Sequence, residues 1–193
     1  LSNSKIISFK YSKIVNSVMY GLKYSIIKQS KHQEIPLSLV YFGSIALETL
    51  KKDQDNYPIS GRIGYCNQLL IASKLNEKLS IQLIPTFVHK NMVESPDFFN
   101  DIFLLGSAIK IQITRRVSLN LEHYNRIINK NGTSSYNSFS IGFDIETGGH
   151  VFQMHLTNSS PMYELGFLTE TNESWSDGGI HFGFNISREF TLK

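Results

Sequence analysis

The chain has 193 residues, 41% of them hydrophobic and 18% charged, with a net charge of +3 and a mean hydropathy of −0.15. Nowhere does it hold a run of about 18 apolar residues, which excludes a membrane-spanning helix; spanning strands stay open, since they need only about 9–11 residues with alternate positions apolar. The basic residues are scattered among the acidic ones, which argues against a nucleic-acid partner, and the lone Cys66 excludes an internal disulfide or a paired-cysteine metal motif.

Period two governs the chain from near its beginning. Ile7, Phe9 and Tyr11 alternate with Ser8, Lys10 and Ser12, and over 18–27 Val18, Tyr20, Leu22, Tyr24 and Ile26 alternate with Gly21, Lys23 and Ser25. Residues 37–48 set Leu37, Leu39, Tyr41, Ile45 and Leu47 against Ser38, Ser44 and Glu48. Residues 62–74 set Ile63, Tyr65, Leu69 and Ile71 against Arg62, Gly64, Gln68 and Lys74. In 79–90, Leu79, Ile81, Leu83 and Phe87 oppose Ser80, Gln82 and Thr86, and in 103–114 Phe103, Leu105, Ile109, Ile111 and Ile113 oppose Gly106, Ala108, Lys110 and Gln112. Three shorter runs follow. Val117, Leu119 and Leu121 face away from Ser118, Asn120 and Glu122 (117–124). Phe139, Ile141, Phe143 and Ile145 face away from Ser140, Gly142, Asp144 and Glu146 (138–146). Phe152, Met154 and Leu156 face away from Gln153, His155 and Thr157 (151–158). The cleanest run comes last: Ile180, Phe182, Phe184, Ile186, Phe190 and Leu192 against His181, Gly183, Asn185, Ser187 and Glu189, broken only by Arg188, whose long side chain can reach an interface.

These are about ten strands of the length a spanning barrel needs, several nearer ten residues than the 5–6 usual in a soluble sandwich. The connections separate barrel from sandwich as well. Tight ones (75–78, 115–116, 146–149) alternate with long ones (49–59, 91–100, 127–135, 158–177), as in barrels with short periplasmic turns and long extracellular loops. The expectation is one all-β domain over 1–193, an antiparallel up-and-down transmembrane barrel with its C-terminus at the periplasmic end. The apolar parity then faces lipid. The lumen-lining candidates are Arg62, Gln68, Lys110, Gln112, Asn120, Glu122, Asp144, His155, His181 and Asn185, a mixed-charge set. A soluble lipocalin-like barrel would invert the two faces, which parity alone does not decide.

The runs 148–159 (GGHVFQMHLTNS) and 178–188 (GGIHFGFNISR), together with the stretches 67–72 and 85–91, resemble an uncharacterised outer-membrane β-barrel family of Bacteroidota. The resemblance covers most of the chain. It implies a barrel in the bacterial outer membrane, further N-terminal strands before the point matching Leu1, and no established activity. Since the chain starts with Leu1 and shows no charged and apolar leader, a signal peptide is expected to have been removed or to lie outside it.

Motifs for chemistry are missing. The histidines show no HExxH or other metal spacing, and there is no GxSxG elbow. His155 and His181 share the polar parity of consecutive strands and could hold a ligand between them, though two polar wall residues explain them more simply. Glu122, Asp144 and Glu146 read as the acidic half of a lumen charge network, His150 as part of the Gly-Gly turn, Arg115-Arg116 as a solvated pair and Trp175 as a packing anchor in the last loop. The chain is therefore expected to be no enzyme and to use no cofactor or metal. Its expected partners are outer-membrane lipid, small solutes passing through a porin-like lumen, and protein partners if the barrel is instead a plugged accessory subunit of an envelope complex.

Overall fold

A computed structural model describes residues 7–14, 17–30, 35–49, 58–93, 98–128, 135–161 and 163–188. Ten strands follow one another: β1 (Ile7–Ile14), β2 (Ser17–Ile27), β3 (Ser38–Glu48), β4 (Ile63–Lys74), β5 (Leu79–Lys90), β6 (Asp101–Gln112), β7 (Val117–Ile128), β8 (Phe139–Thr147), β9 (His150–Thr157) and β10 (His181–Arg188). Each pairs antiparallel with its sequence neighbour in one sheet of order β1 to β10, curled into a half-barrel. Among the described residues no pairing joins β1 to β10. The four 12-residue strands β4 to β7 would each cover roughly 30 Å of membrane depth at the usual barrel tilt, enough for a hydrocarbon core.

The two parities of the pattern become two faces. Met19, Ala46, Cys66, Ile84, Val88 and Ile102 are buried on the concave face, while Tyr20, Ile45, Leu83, Phe103, Ile109 and Phe184 stand exposed on the convex one. A continuous apolar surface of this extent is not tolerated in water, whereas lipid requires it. Several polar groups on the convex face are paired. The Tyr41 hydroxyl donates to Asn67 Oδ1 at 2.6 Å within the apolar band. Near the long-loop ends of β4 to β6, Tyr65, His89 and Asp101 lie in one cross-strand row, with His89 Nδ1 2.7 Å from Asp101 Oδ1.

Short turns gather at one end, and side chains close them. Asn76 Oδ1 accepts from the backbone N–H of Lys78 and of Leu79, both at 2.9 Å. Thr114 Oγ1 does the same for Arg116 and Val117 at 3.2 and 3.1 Å. The two-residue β8–β9 turn needs positive φ at both positions, and Gly148 (52°) and Gly149 (137°) supply it. The first two connections depart from the alternation: β1 and β2 are separated only by residues 15–16, whereas 28–37 join β2 to β3.

Strand β7 runs to Ile128, past the predicted end at Tyr124. Its convex positions there, His123 and Asn125, are polar, so the alternation fades although pairing with β6 continues through Leu104↔Arg126. The long connection expected over 158–177 is more than a surface loop. It contains a helix, α1 (Glu164–Thr169), and the buried residues Asn158, Ser159, Leu165, Leu168, Thr169 and Thr171.

Replacing Leu83, mid-band on the convex face, with arginine is expected to destabilise the folded barrel by about 2–4 kcal/mol in urea titrations of vesicle-inserted protein. A loss below about 0.5 kcal/mol would mean that this face does not meet hydrocarbon.

Candidate functional site

The concave wall is polar towards the short turns. Lys110 Nζ donates to Asp144 Oδ2 at 3.1 Å, Gln153 Nε2 to Asp144 Oδ1 at 3.2 Å, and Asn185 Nδ2 to Gln153 Oε1 at 3.0 Å. Register produces this ladder, since Asp144, Gln153 and Asn185 lie directly opposite one another across β8, β9 and β10. Asn120 adds a further hydrogen bond to Asp144. Gln112 shares the parity, but its amide is tied to the β6–β7 turn through Thr114 O at 2.8 Å.

His155 and His181 have different neighbours. His155 lies between Gly142 and Gly183 in register, with its ring over Gly183 so closely that a Cβ there would overlap the imidazole. His181 sits nearer the long-loop end, its Nε2 3.2 Å from Glu173 Oε2. Among the described residues no group of three potential metal ligands forms.

Towards the long loops the same wall turns apolar. Met19, Ala46, Cys66, Ile84, Val88, Ile102, Leu104 and Tyr124 form one cluster, which Leu165 and Leu168 of α1 complete from the other side. The β9–β10 connection thus folds inward over the concave face. Leu165 packs against the bare backbone of Gly64, where a Cβ would collide with it. Burying two leucines contributes about 1.5–3 kcal/mol each.

Polar contacts fix the rest of the segment to the wall. Lys90 Nζ lies 2.8 Å from Glu170 Oε1, Tyr136 N donates to Thr171 O at 2.7 Å, and Trp175 Nε1 donates to Phe139 O at 3.1 Å. The Asn158 amide donates to Asn137 O and Glu173 O, each at 3.0 Å, and Arg126 Nη2 donates to Leu168 O at 3.5 Å. Tyr163, just before α1, donates to Glu170 Oε2 at 3.4 Å; burial first, then the Glu170 and Glu48 carboxylates, hold its hydroxyl well above the usual phenol range, so it stays protonated.

Gln68 and Glu122 mark the boundary between the two halves. Gln68 Nε2 reaches Thr86 Oγ1 and the Tyr124 hydroxyl, both at 3.3 Å, and Glu122 hydrogen-bonds the same tyrosine. Arg62 closes a short 3-10 turn (Ile59–Arg62) at the long-loop end. It lines a cavity of about 270 Å³ between the inserted segment and the wall.

Of the ten candidate lumen residues, Lys110, Asn120, Asp144 and Asn185 meet in the ladder, Gln68 and Glu122 at the junction and Arg62 at the cavity rim, while Gln112 is tied to its turn and His155 and His181 stand outside these groups. The apolar half of the wall and the helix covering it went unread. Their signal was a gradient along the inner parity. In β5 this parity runs Ser80, Gln82, Ile84, Thr86, Val88, and in β6 it runs from Gln112 and Lys110 to Leu104 and Ile102. Trp175 is a packing anchor, edge-on to Phe139 at 5.4 Å.

A family model described as a membrane bound beta barrel domain (DUF5777) matches residues 1–190. The chain belongs to this family. No curated protein and no solved structure matches it. Membership of a membrane-bound barrel family agrees with the exposed apolar parity, which places the polar ladder and the inserted segment of this barrel domain on the side away from lipid.

Truncating Leu165 and Leu168 together to alanine is expected to release the segment, at a cost of about 2–5 kcal/mol per leucine. Limited proteolysis of the inserted barrel should then cut within 159–180, where the unaltered protein resists. Equal resistance in both would contradict docking on the wall.

Proposed function

We propose that this barrel sits in a bacterial outer membrane and passes small solutes through a bore narrowed by its own β9–β10 segment. The observation that carries this reading is the burial of Leu165 and Leu168 against the inner wall. It puts a packed obstruction at the long-loop end and leaves the Lys110–Asp144–Gln153–Asn185 ladder to line a hydrated vestibule at the other. Mixed charge on that vestibule favours small polar solutes of either sign. On this reading the barrel carries no catalysis and uses no cofactor, and its partners are lipid and solute.

The apolar seam between α1 and the wall favours a second reading. Packing there is of the kind that excludes water, as in a plugged barrel that serves as an accessory subunit of an envelope complex.

Planar-bilayer conductance of the protein purified from outer membranes distinguishes them. The channel reading expects small, stable steps that grow several-fold when residues 160–174 are replaced by a short Gly-Ser linker. Silence in the unaltered protein with steps in the linker variant would support the plug. Silence in both, from correctly inserted barrels, would overturn passage of solutes.

A further inference from the structure

The cavity at the long-loop end is walled on one side by the barrel and on the other by the inserted segment, so whatever occupies it touches both. The wall contributes Glu48, at the end of β3, and Lys90, at the end of β5; the segment contributes Tyr163 and Glu170; the β5–β6 connection contributes Phe98 and Phe99. The charges are not equally engaged. Lys90 is neutralised by Glu170 at 2.8 Å, and Arg62 is engaged in an interaction of its own. Among the described residues no cation pairs with the Glu48 carboxylate, which lies near enough to the Tyr163 hydroxyl to act on it electrostatically. A carboxylate that shares a cavity with three aromatic side chains, and that pairs with no cation among the described residues, suits an organic cation, whose charge meets the carboxylate and whose alkyl groups lie on the ring faces. The volume, about 270 Å³, is at the small end of ligand pockets and suits a compact head group, not a chain.

We propose that this cavity is a binding site for a small organic cation of the quaternary or primary ammonium class, and that its occupant holds the β9–β10 segment against the wall. A ligand contacting both segment and wall binds the docked state better than the released one, so occupancy shifts the segment towards docking by that difference in affinity. Binding itself does not depend on whether the barrel conducts, so the site and the channel reading fail separately.

The test is calorimetry on the full chain in lipid nanodiscs with three probes of one shape: choline, its neutral isostere 3,3-dimethylbutanol, and the anion 3,3-dimethylbutanoate. Choline is expected to bind about tenfold or more tighter than either, Glu48→Gln to erase that preference, and Phe99→Ala to weaken choline about threefold or more. Choline should also slow proteolysis within 159–180, and should not do so in Glu48→Gln. Retained heat-modifiable migration on gels shows that each variant is folded. Equal binding of choline and its neutral isostere, preference for the anion, no binding of any probe, or choline binding unchanged in folded Glu48→Gln would each overturn the proposal.

Discussion

Hydrocarbon offers no partner for a backbone N–H or C=O, and that constraint organises this chain. Each unpaired group would cost several kcal/mol there, so spanning segments with extended backbone must lie in a continuous ladder. Nine successive antiparallel pairings answer this requirement across the described sheet. Pairing in turn imposes period two, and period two gives each strand one lipid side and one inner side. The side-chain rules follow. Convex positions such as Leu83, Phe103 and Phe184 are apolar because hydrocarbon favours it, and the Tyr41–Asn67 pair is accommodated among them because each satisfies the other.

The inner wall is freer, and the protein uses that freedom unevenly. Near the short turns, register aligns Asp144, Gln153 and Asn185 so that one carboxylate organises several donors. Near the long loops, the wall is built from Ala46, Ile84, Val88, Ile102 and Leu104, and a hydrated lumen would leave that apolar surface wet. The β9–β10 segment covers it. Gly64 permits the close approach of Leu165, and the Lys90–Glu170 pair with the Asn158 amide sets the position of the flanks. The packed segment and the apolar gradient of the wall beneath it are thus one feature seen from two sides.

Strands and parity were legible because pleat geometry and lipid both write period two into the sequence. Nearly every predicted run reappears as a strand within a few residues. The largest boundary difference, at β7, falls where His123 and Asn125 leave the apolar band and the lipid no longer enforces alternation. The inward fold was not legible in the same way. Six helical residues between glycines, serines and glutamates carry too little periodicity to stand out, and what docks them is tertiary: a glycine on β4 and a cluster contributed by several strands. His155 and His181 show the same limit. Sequence parity puts both on one face, but only the register reveals that one lies over Gly183 and the other faces Glu173.

The account stands on which parity meets lipid. A nitroxide scan of residues 79–88 along β5, one cysteine at a time in a Cys66→Ser background in vesicles, measures this directly through collisions with dissolved oxygen and with a water-soluble nickel chelate. Oxygen collisions should peak at Leu79, Ile81, Leu83, Pro85 and Phe87 and fall at Ser80, Gln82, Ile84, Thr86 and Val88. The opposite phase, or no alternation, would contradict a barrel with its polar ladder and inserted segment inside.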